Sequence, residues 1–386
     1  MPDIAPQSKP KVIRVNSIAP MMAAYFHDQA LIFSEWYDMV YVSSPGAEHV
    51  GMRADGIRTE EIFIARPISP VQDLITLWKL FCFFRKEKPA IVHSVTPKAG
   101  LLSMTAAWLA RVPVRIHTFT GLLFPWRGGV MHHILKLTDR ITCLFATNIN
   151  PEGQGVRQDL QKFRITRKPL PILGHGNIRG VNLEKYAAKG TRSLTRQSLG
   201  IPAEAFVFAF TGRLVKDKGI NELVSAFAEL ADKHPSAHLL LIGPQEPELD
   251  PLQPETQELI AGHPRIHSPG SCSNVPEMLE AADAFVFPSY REGFPNALLE
   301  AQAMSLPCIA TDICGCNEII TDAENGLLIP ARAATPLREA MEKIISMSEA
   351  ERSHMGHTAR RQIEEKFTAA FVAKNLHHYY QQLLNK

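Results

Sequence analysis

The sequence has no apolar run near the ~18 residues needed to span a bilayer. Residues 1–10 are polar and proline-rich and lack the basic-then-apolar pattern of a secretory signal, so they read as a short disordered lead-in. Cysteine is sparse. The six, Cys82, Cys143, Cys272, Cys308, Cys314 and Cys316, form no C-x-x-C pair and no cluster with histidines. Cys314-Gly315-Cys316 is too tight for ordinary zinc spacing, which leaves free thiols in a reducing compartment. No Asp-x-Asp pair occurs anywhere. With 21% charged and 45% hydrophobic residues, the chain fits neither the disordered nor the membrane-spanning class and reads as a globular enzyme. Its 386 residues suffice for two domains, each with its own core.

A net charge of +2 hides an asymmetry. Residues 1–185 hold 23 Lys+Arg and 14 Asp+Glu, a balance of +9. The remaining 18 and 25 leave residues 186–386 at −7. A basic half suits an anionic membrane surface or an anionic acceptor.

Short apolar runs alternate with amphipathic stretches. Residues 12–15, 39–42, 62–64, 90–93, 115–118 and 144–149 read as strands, and 26–35, 70–86, 99–111 and 132–142 as helices. A segment over 157–200, rich in Lys, Arg, Gly and Pro, reads as the inter-domain region. The alternation restarts with strands at 206–210, 238–242, 284–287, 308–310 and 327–329. Helices are expected at 221–233, 275–282 and 295–304, from 315, and through 335–386. This predicts two α/β domains of Rossmann type facing across a cleft, over 1–185 and 186–366, with a terminal helix over 367–386 packing back on the first. Ligands of such sheets bind beyond the carboxyl ends of the strands.

Two stretches carry the chemistry. The run Pro288-Ser289-Tyr290-Arg291-Glu292-Gly293-Phe294-Pro295-Asn296 follows a predicted strand and opens a helix that runs on to Glu300. Pro295 suits the first helical turn. One carboxylate then sits in a loop and the second roughly 8 Å along the helix axis. Between them lies a helix N-terminus, a natural seat for a phosphate. Upstream, Gly212-Arg213-Leu214-Val215-Lys216-Asp217-Lys218-Gly219 follows another strand. Arg213 offers a bidentate fork for phosphate oxygens and Lys218 a point charge.

These stretches, in order with Gly315-Cys316-Asn317-Glu318-Ile319-Ile320 and Glu324-Asn325-Gly326-Leu327-Leu328-Ile329-Pro330, resemble the retaining glycosyltransferases of family 4, whose architecture is called GT-B. The resemblance covers the chain from Val12 onward. It implies that Arg213 and Lys218, with Gly212, hold the diphosphate of a nucleotide-sugar donor. It implies further that Glu300 bonds the ribose and Glu292 contacts the transferred sugar. Amides of Gly293, Phe294, Pro295 and Asn296 would line the seat, with the loop 269–275 meeting the nucleobase.

In the first half, His93-Ser94-Val95-Thr96-Pro97-Lys98-Ala99-Gly100, Arg66-Pro67-Ile68-Ser69-Pro70 and Val114-Arg115-Ile116-His117-Thr118 resemble signatures of bacterial enzymes that build O-antigen, capsule and other lipid-linked glycans. Lys98 and His93 are placed at a strand end, where an acceptor diphosphate needs cations. Many relatives carry a His just before the glycine of Thr120-Gly121, and here His117 or Thr120 is left to supply that contact. The glycine-rich first loop of many relatives is replaced by Ile18-Ala19-Pro20-Met21. The helix around residues 77–86 mixes aromatics with cations and reads as core packing with a basic end. The loop from Gly121 to Arg127 is expected to expose Leu122, Leu123, Phe124 and Trp126 to membrane or lipid.

The expected reaction moves a hexose or N-acetylhexosamine, with retention, from a UDP-sugar to a polyprenyl-diphosphate-linked glycan. No metal or cofactor is expected. Without Asp-x-Asp, cations and helix amides neutralise the leaving group. Glu292 positions the sugar and does not attack it. The enzyme would be cytoplasmic, peripheral to the inner face of the membrane, with no nucleic-acid partner. A GT-B nucleotide-sugar epimerase or a soluble-acceptor transferase is the alternative. A glycoside hydrolase using Glu292 and Glu300 leaves Arg213 and Lys218 without a role. An oxidoreductase would rest on Gly174-His175-Gly176-Asn177-Ile178-Arg179-Gly180, one residue off the dinucleotide fingerprint and without its long helix.

Overall fold

A computed structural model of the chain describes residues 9–248 and 250–385. The expected lead-in falls, up to residue 8, outside them. The chain divides into two compact units: residues up to Gly180 together with Ala369 onward, and Val181–Thr368. The sequence reading set the breaks after residues 185 and 366; the folded chain sets them after 180 and 368.

In the first unit six strands, β1 (Lys11–Val15), β2 (Asp38–Ser43), β3 (Thr59–Glu61), β4 (Ile91–Val95), β5 (Val114–Phe119) and β6 (Asn148–Pro151), form one sheet in the order β3-β2-β1-β4-β5-β6. Every pair is parallel. Helices α1 (Ala19–Phe33), α2 (Glu48–Ala54), α3 (Pro70–Glu87), α4 (Pro97–Leu109), α5 (Gly129–Phe145) and α6 (Gln154–Lys162) connect them. Val12, Ile13 and Val15 are fully buried, and Arg14 between them is buried too, its Nη1 donating to Gln29 Oε1 at 2.6 Å, so both faces of β1 are covered as in a parallel sheet. Two expectations shift. The third strand lies at Thr59–Glu61, not at 62–64. The sixth starts only at Asn148, because α5 runs on to Phe145.

The second unit repeats the plan. Helix α7 (Arg192–Ser198) precedes β7 (Phe206–Thr211), α8 (Ile220–Lys233), β8 (Ala237–Ile242), α9 (Pro254–Gly262), β9 (Ile266–Gly270) and α10 (Val275–Glu280). Then come β10 (Ala284–Phe287), α11 (Asn296–Ala303), β11 (Cys308–Thr311), α12 (Cys316–Ile319), β12 (Leu327–Ile329), α13 (Ala334–Ser346) and α14 (Glu349–Lys366). The sheet order is β12-β11-β10-β7-β8-β9, again all parallel. Helix α14 opens on a capping box. Ser348 Oγ accepts from the Glu351 amide at 3.3 Å, and the Glu351 carboxylate accepts from the Ser348 amide at 2.8 Å.

The last helix, α15 (Ala369–Leu384), belongs to the first unit. Its Tyr380 is fully buried, with ring centroids 6.0 Å from Phe33 and 5.7 Å from Tyr37. The Tyr380 hydroxyl meets His93 Nδ1 at 2.6 Å. Burying such a ring contributes roughly 2–3 kcal/mol, so α15 is part of the core, not an appendage.

Strand order reverses between β1 and β4 in one unit and between β7 and β10 in the other. These are the switch points at which open α/β sheets bind ligands.

Candidate active site

In the second unit β7 ends at Thr211, and Gly212 follows with φ +146. Arg213 Nη1 donates to Glu246 Oε2 at 2.9 Å, with its side chain 40% exposed. The turn closes at Gly219, φ +71, where α8 begins. A Cβ there would overlap the carbonyl oxygen of Pro288, so glycine is required for the turn to lie against the end of β10.

Two ion pairs then lace the turn to the loop after β10. Lys218 Nζ pairs with Glu292 Oε1, the side chains only 16% and 13% exposed. Arg291 Nη2 donates to Asp217 Oδ2 at 2.7 Å. The backbone reinforces them, since the Tyr290 amide donates to the Asp217 carbonyl at 2.9 Å. Tyr290 Oη donates to Glu222 Oε1 at 2.6 Å, and burial, with Glu222 beside it, pushes the phenol well above its ordinary range. Asp250 Oδ2 accepts from the Asp217 amide at 2.7 Å. Sequence reasoning missed Asp217, Glu222, Glu246, Asp250, Tyr290 and Arg291. They are five ordinary charges and one tyrosine until the sheet brings residues 33 to 74 apart together.

Helix α11 starts one residue later than expected, with Pro295 as its N-cap at φ −75, ψ 106. Glu300 lies on this helix and is 8% exposed. Gly293 and Phe294 are buried. The Phe294 ring packs on Phe367, centroids 5.5 Å apart, so only its backbone is available to a seat. A Cβ on Gly315, φ +82, would come within 2.5 Å of the Gly293 carbonyl oxygen. Next to them Cys316 is fully buried, and burial pushes its thiol far up. The fold thus gathers Gly212, Arg213, Lys218, Glu292, Gly293, Pro295, Asn296 and Glu300 along the carboxyl edge around β7 and β10.

The first unit treats its expected residues differently. Lys98, second in α4, pairs with Asp73 Oδ1 at 2.7 Å and donates to the Pro67 carbonyl. Its charge is therefore compensated, as a cation in the first turn of a helix requires. Thr120, just beyond β5, is half-buried. Two expectations are corrected. His93 is not at a strand end. It is buried within β4 between Tyr380 and Thr118 Oγ1, the latter at 2.8 Å, and burial holds its imidazole neutral. His117 is 1% exposed, its Nδ1 meets Ser94 Oγ at 2.8 Å, and its pKa is driven down to about 3 by burial. The ring fills the space that a Cβ on Gly100 would take, so it packs under α4 and offers nothing to a ligand.

The loop after β5 also departs from expectation. Leu122 and Phe124 are buried, and only Leu123 and Trp126 are exposed. Helix α3 buries Thr76, Leu80 and Phe84 but leaves Val71, Leu74 and Trp78 in the open, 66–73% exposed, so it is not wholly a core helix. Among the described residues no helix is long and apolar enough to cross a membrane.

A family model for group 1 glycosyl transferases matches residues 191–362, and one for the glycosyl transferase 4-like domain matches residues 12–146. The chain is 30% identical over 350 residues to the capsular polysaccharide biosynthesis glycosyltransferase CapM of Staphylococcus aureus, covering 90% of this chain and 91% of that one. The chain belongs to this glycosyltransferase family. It is also 31% identical, over 69% of either chain, to the UDP-Gal:alpha-D-GlcNAc-diphosphoundecaprenol alpha-1,3-galactosyltransferase of Escherichia coli. Its fold matches that of Anabaena HepE, solved with UDP and glucose, with a TM-score of 0.82 at 17% identity over 97% of this chain and 100% of that one. The glycosyltransferase thus has the expected GT-B class, with one Rossmann-like unit under each family model.

Proposed function

We propose that this glycosyltransferase moves a hexose or N-acetylhexosamine, with retention, from a UDP-sugar to a polyprenyl-diphosphate-linked glycan in cell-surface polysaccharide assembly. The observation that carries the donor half is the pairing of Lys218 with Glu292 beside Arg213 at the switch point of the second unit. A cation poised against a half-buried carboxylate is a cation that a diphosphate can take over. The E. coli relative's use of a UDP-sugar and a diphosphoundecaprenol-linked acceptor supports the choice of both substrates.

In this reading Arg213 and Lys218 hold the diphosphate, and Gly212 keeps the turn open to it. Glu300 bonds the ribose. Backbone N–H groups of Gly293, Phe294 and Asn296, with Pro295 fixing the turn at the start of α11, receive the sugar and its phosphate, aided by the positive end of the helix. Glu292, released from Lys218, orients the sugar. The acceptor hydroxyl attacks from the face the leaving group departs, the C1–O bond to UDP breaks, and the acceptor proton passes to a donor phosphate oxygen. Protein cations neutralise the leaving diphosphate and no metal is used. Lys98 and Thr120 serve the acceptor. The exposed Trp78, Leu74 and Val71 of α3 and Trp126 beyond β5, with the basic first half, support a peripheral seat on the inner face of the membrane.

The test is transfer from UDP-sugars to a synthetic polyprenyl-diphosphate sugar, in excess chelator, with the product's anomeric configuration read by NMR. Retained configuration with chelator-resistant turnover is expected. An inverted product, or turnover only with free sugar acceptors, would overturn the proposal.

A further inference from the structure

The first unit carries a cation cluster that none of this chemistry uses. It lies where α5 and α6 end, at the edge from which the strands start, away from Thr120. Arg157, Gln161, Thr166, Arg167 and Lys168 line a surface pocket of about 420 Å³. An adjoining pocket of about 650 Å³ shares Gln161, Thr166 and Arg167 and adds Arg140 and Arg164. Among the described residues no carboxylate lines either pocket, and none of these four arginines forms an ion pair. The acids on the same helices do not compensate them. Asp139 and Asp159 have carboxyls pushed up by burial, Asp139 to about 7; the cation acting on Asp159 is Lys162, and neither carboxyl forms an ion pair with the four arginines.

Helix capping does not occupy the side chains of Arg157, Arg164 and Arg167. Lys168 does that work, its ammonium donating to the carbonyls of Cys143 at 2.6 Å and Leu144 at 3.3 Å, at the end of α5. Arg157 Nε is buried and has no hydrogen-bond partner among the described residues. Arg164, at φ +53, is the left-handed residue that closes α6, its amide donating to the Gln161 carbonyl and the Ile165 amide to the Leu160 carbonyl, both at 3.0 Å, and its own carbonyl accepts from Arg140 Nη2 at 3.3 Å. Guanidinium groups that line adjoining pockets without an acid complement an anion with several oxygens.

We propose that Arg140, Arg157, Arg164 and Arg167 form a binding site for a phosphate group, distinct from the donor edge in the other unit. The phosphate is either free in solution or the headgroup of an anionic lipid. The second source is suggested by α5 itself, whose Val130, Leu137 and Leu144 are 58–75% exposed on one stripe beside Arg140. The proposal stands without the donor chemistry above, and one variant separates the two.

Inorganic phosphate is titrated calorimetrically at constant ionic strength into the full chain, into R164Q/R167Q and into R213Q. Both pocket arginines are exposed, so the double variant should keep its thermal midpoint. Flotation with vesicles of phosphatidylcholine, with and without phosphatidylglycerol, forms the second arm. R213Q should still bind phosphate, and R164Q/R167Q should bind it at least about tenfold more weakly. Loss of phosphatidylglycerol-dependent flotation in R164Q/R167Q assigns the headgroup, whereas weakened phosphate binding with unchanged flotation assigns the free anion. Wild-type behaviour of R164Q/R167Q in both arms, or phosphate binding abolished by R213Q alone, would overturn the site.

Discussion

Lys218→Met keeps most of the side-chain volume of Lys218 and removes its charge. Glu292 is then left without its ammonium partner at 13% side-chain exposure. Breaking an exposed pair costs about 0–1 kcal/mol and breaking a buried one about 3–5 kcal/mol. With side chains 16% and 13% exposed, this pair lies between these limits, at about 2 kcal/mol. The ammonium also lies 5.6 Å from the Phe287 ring centroid, which adds roughly 0.5 kcal/mol. For a unit of this size the variant should lower the thermal midpoint by about 5–10 °C. Glu292→Gln alone should cost about 1 kcal/mol, because the amide oxygen still accepts from the ammonium. The double variant should fall short of the sum by about 1 kcal/mol or more. Trp36, Trp78, Trp108 and Trp126 all lie in the first unit, so tryptophan emission does not read this change. Hydrogen exchange of the α11 amides with urea unfolding does. Strict additivity of the two single variants, within about 0.3 kcal/mol, would refute the coupling.

Glu292→Gln should also lower turnover without trapping a glycosyl-enzyme, and a covalent adduct seen by mass spectrometry would refute the positioning role. Because the same change replaces a charged competitor for Lys218 with a neutral, weaker one, UDP binding should hold or tighten in calorimetry. Gly219→Ala should unfold the second unit or cost it about 3 kcal/mol or more, since both φ +71 and the Pro288 carbonyl oppose a Cβ. His117, neutral when folded and held near pKa 3, contributes stability that is present above the free-imidazole pKa of about 6.5 and lost as pH falls toward 3. His117→Asn should flatten that acid slope by up to about 1.4 kcal/mol per pH unit, and an unchanged slope in urea titrations would contradict the assignment.

Much of the fold was legible because many of its strands are continuous apolar runs, such as Phe206 to Phe210 and Ala284 to Phe287, whose burial leaves no polar alternation to confuse them. Edge strands were harder. Ile266–Gly270 contains His267, Ser268 and Pro269, and Thr59–Glu61 is polar, so neither looks like a strand until its neighbour pairs with it. That Arg213, Lys218, Glu292 and Glu300 share one sheet edge could be read from spacing, because all four follow strand ends. Their partners could not. Lys218 and Glu292 are 74 residues apart, and Lys98 finds Asp73 across two helices. Histidines misled most. Nothing in the sequence separates His93, held between two hydroxyls, and His117, held by one, from ligand-facing imidazoles. The loop after β5 hides Leu122 and Phe124 because the 3₁₀ turn Phe124–Trp126 folds it back, and that turn is not a periodic signal.

The central claim is that a nucleotide diphosphate is held at Arg213 and Lys218. Calorimetric titration of UDP into the wild type and into Arg213→Gln tests it most directly. The account predicts at least about tenfold weaker binding in the variant, with the second unit still folded. Wild-type affinity in Arg213→Gln would contradict it.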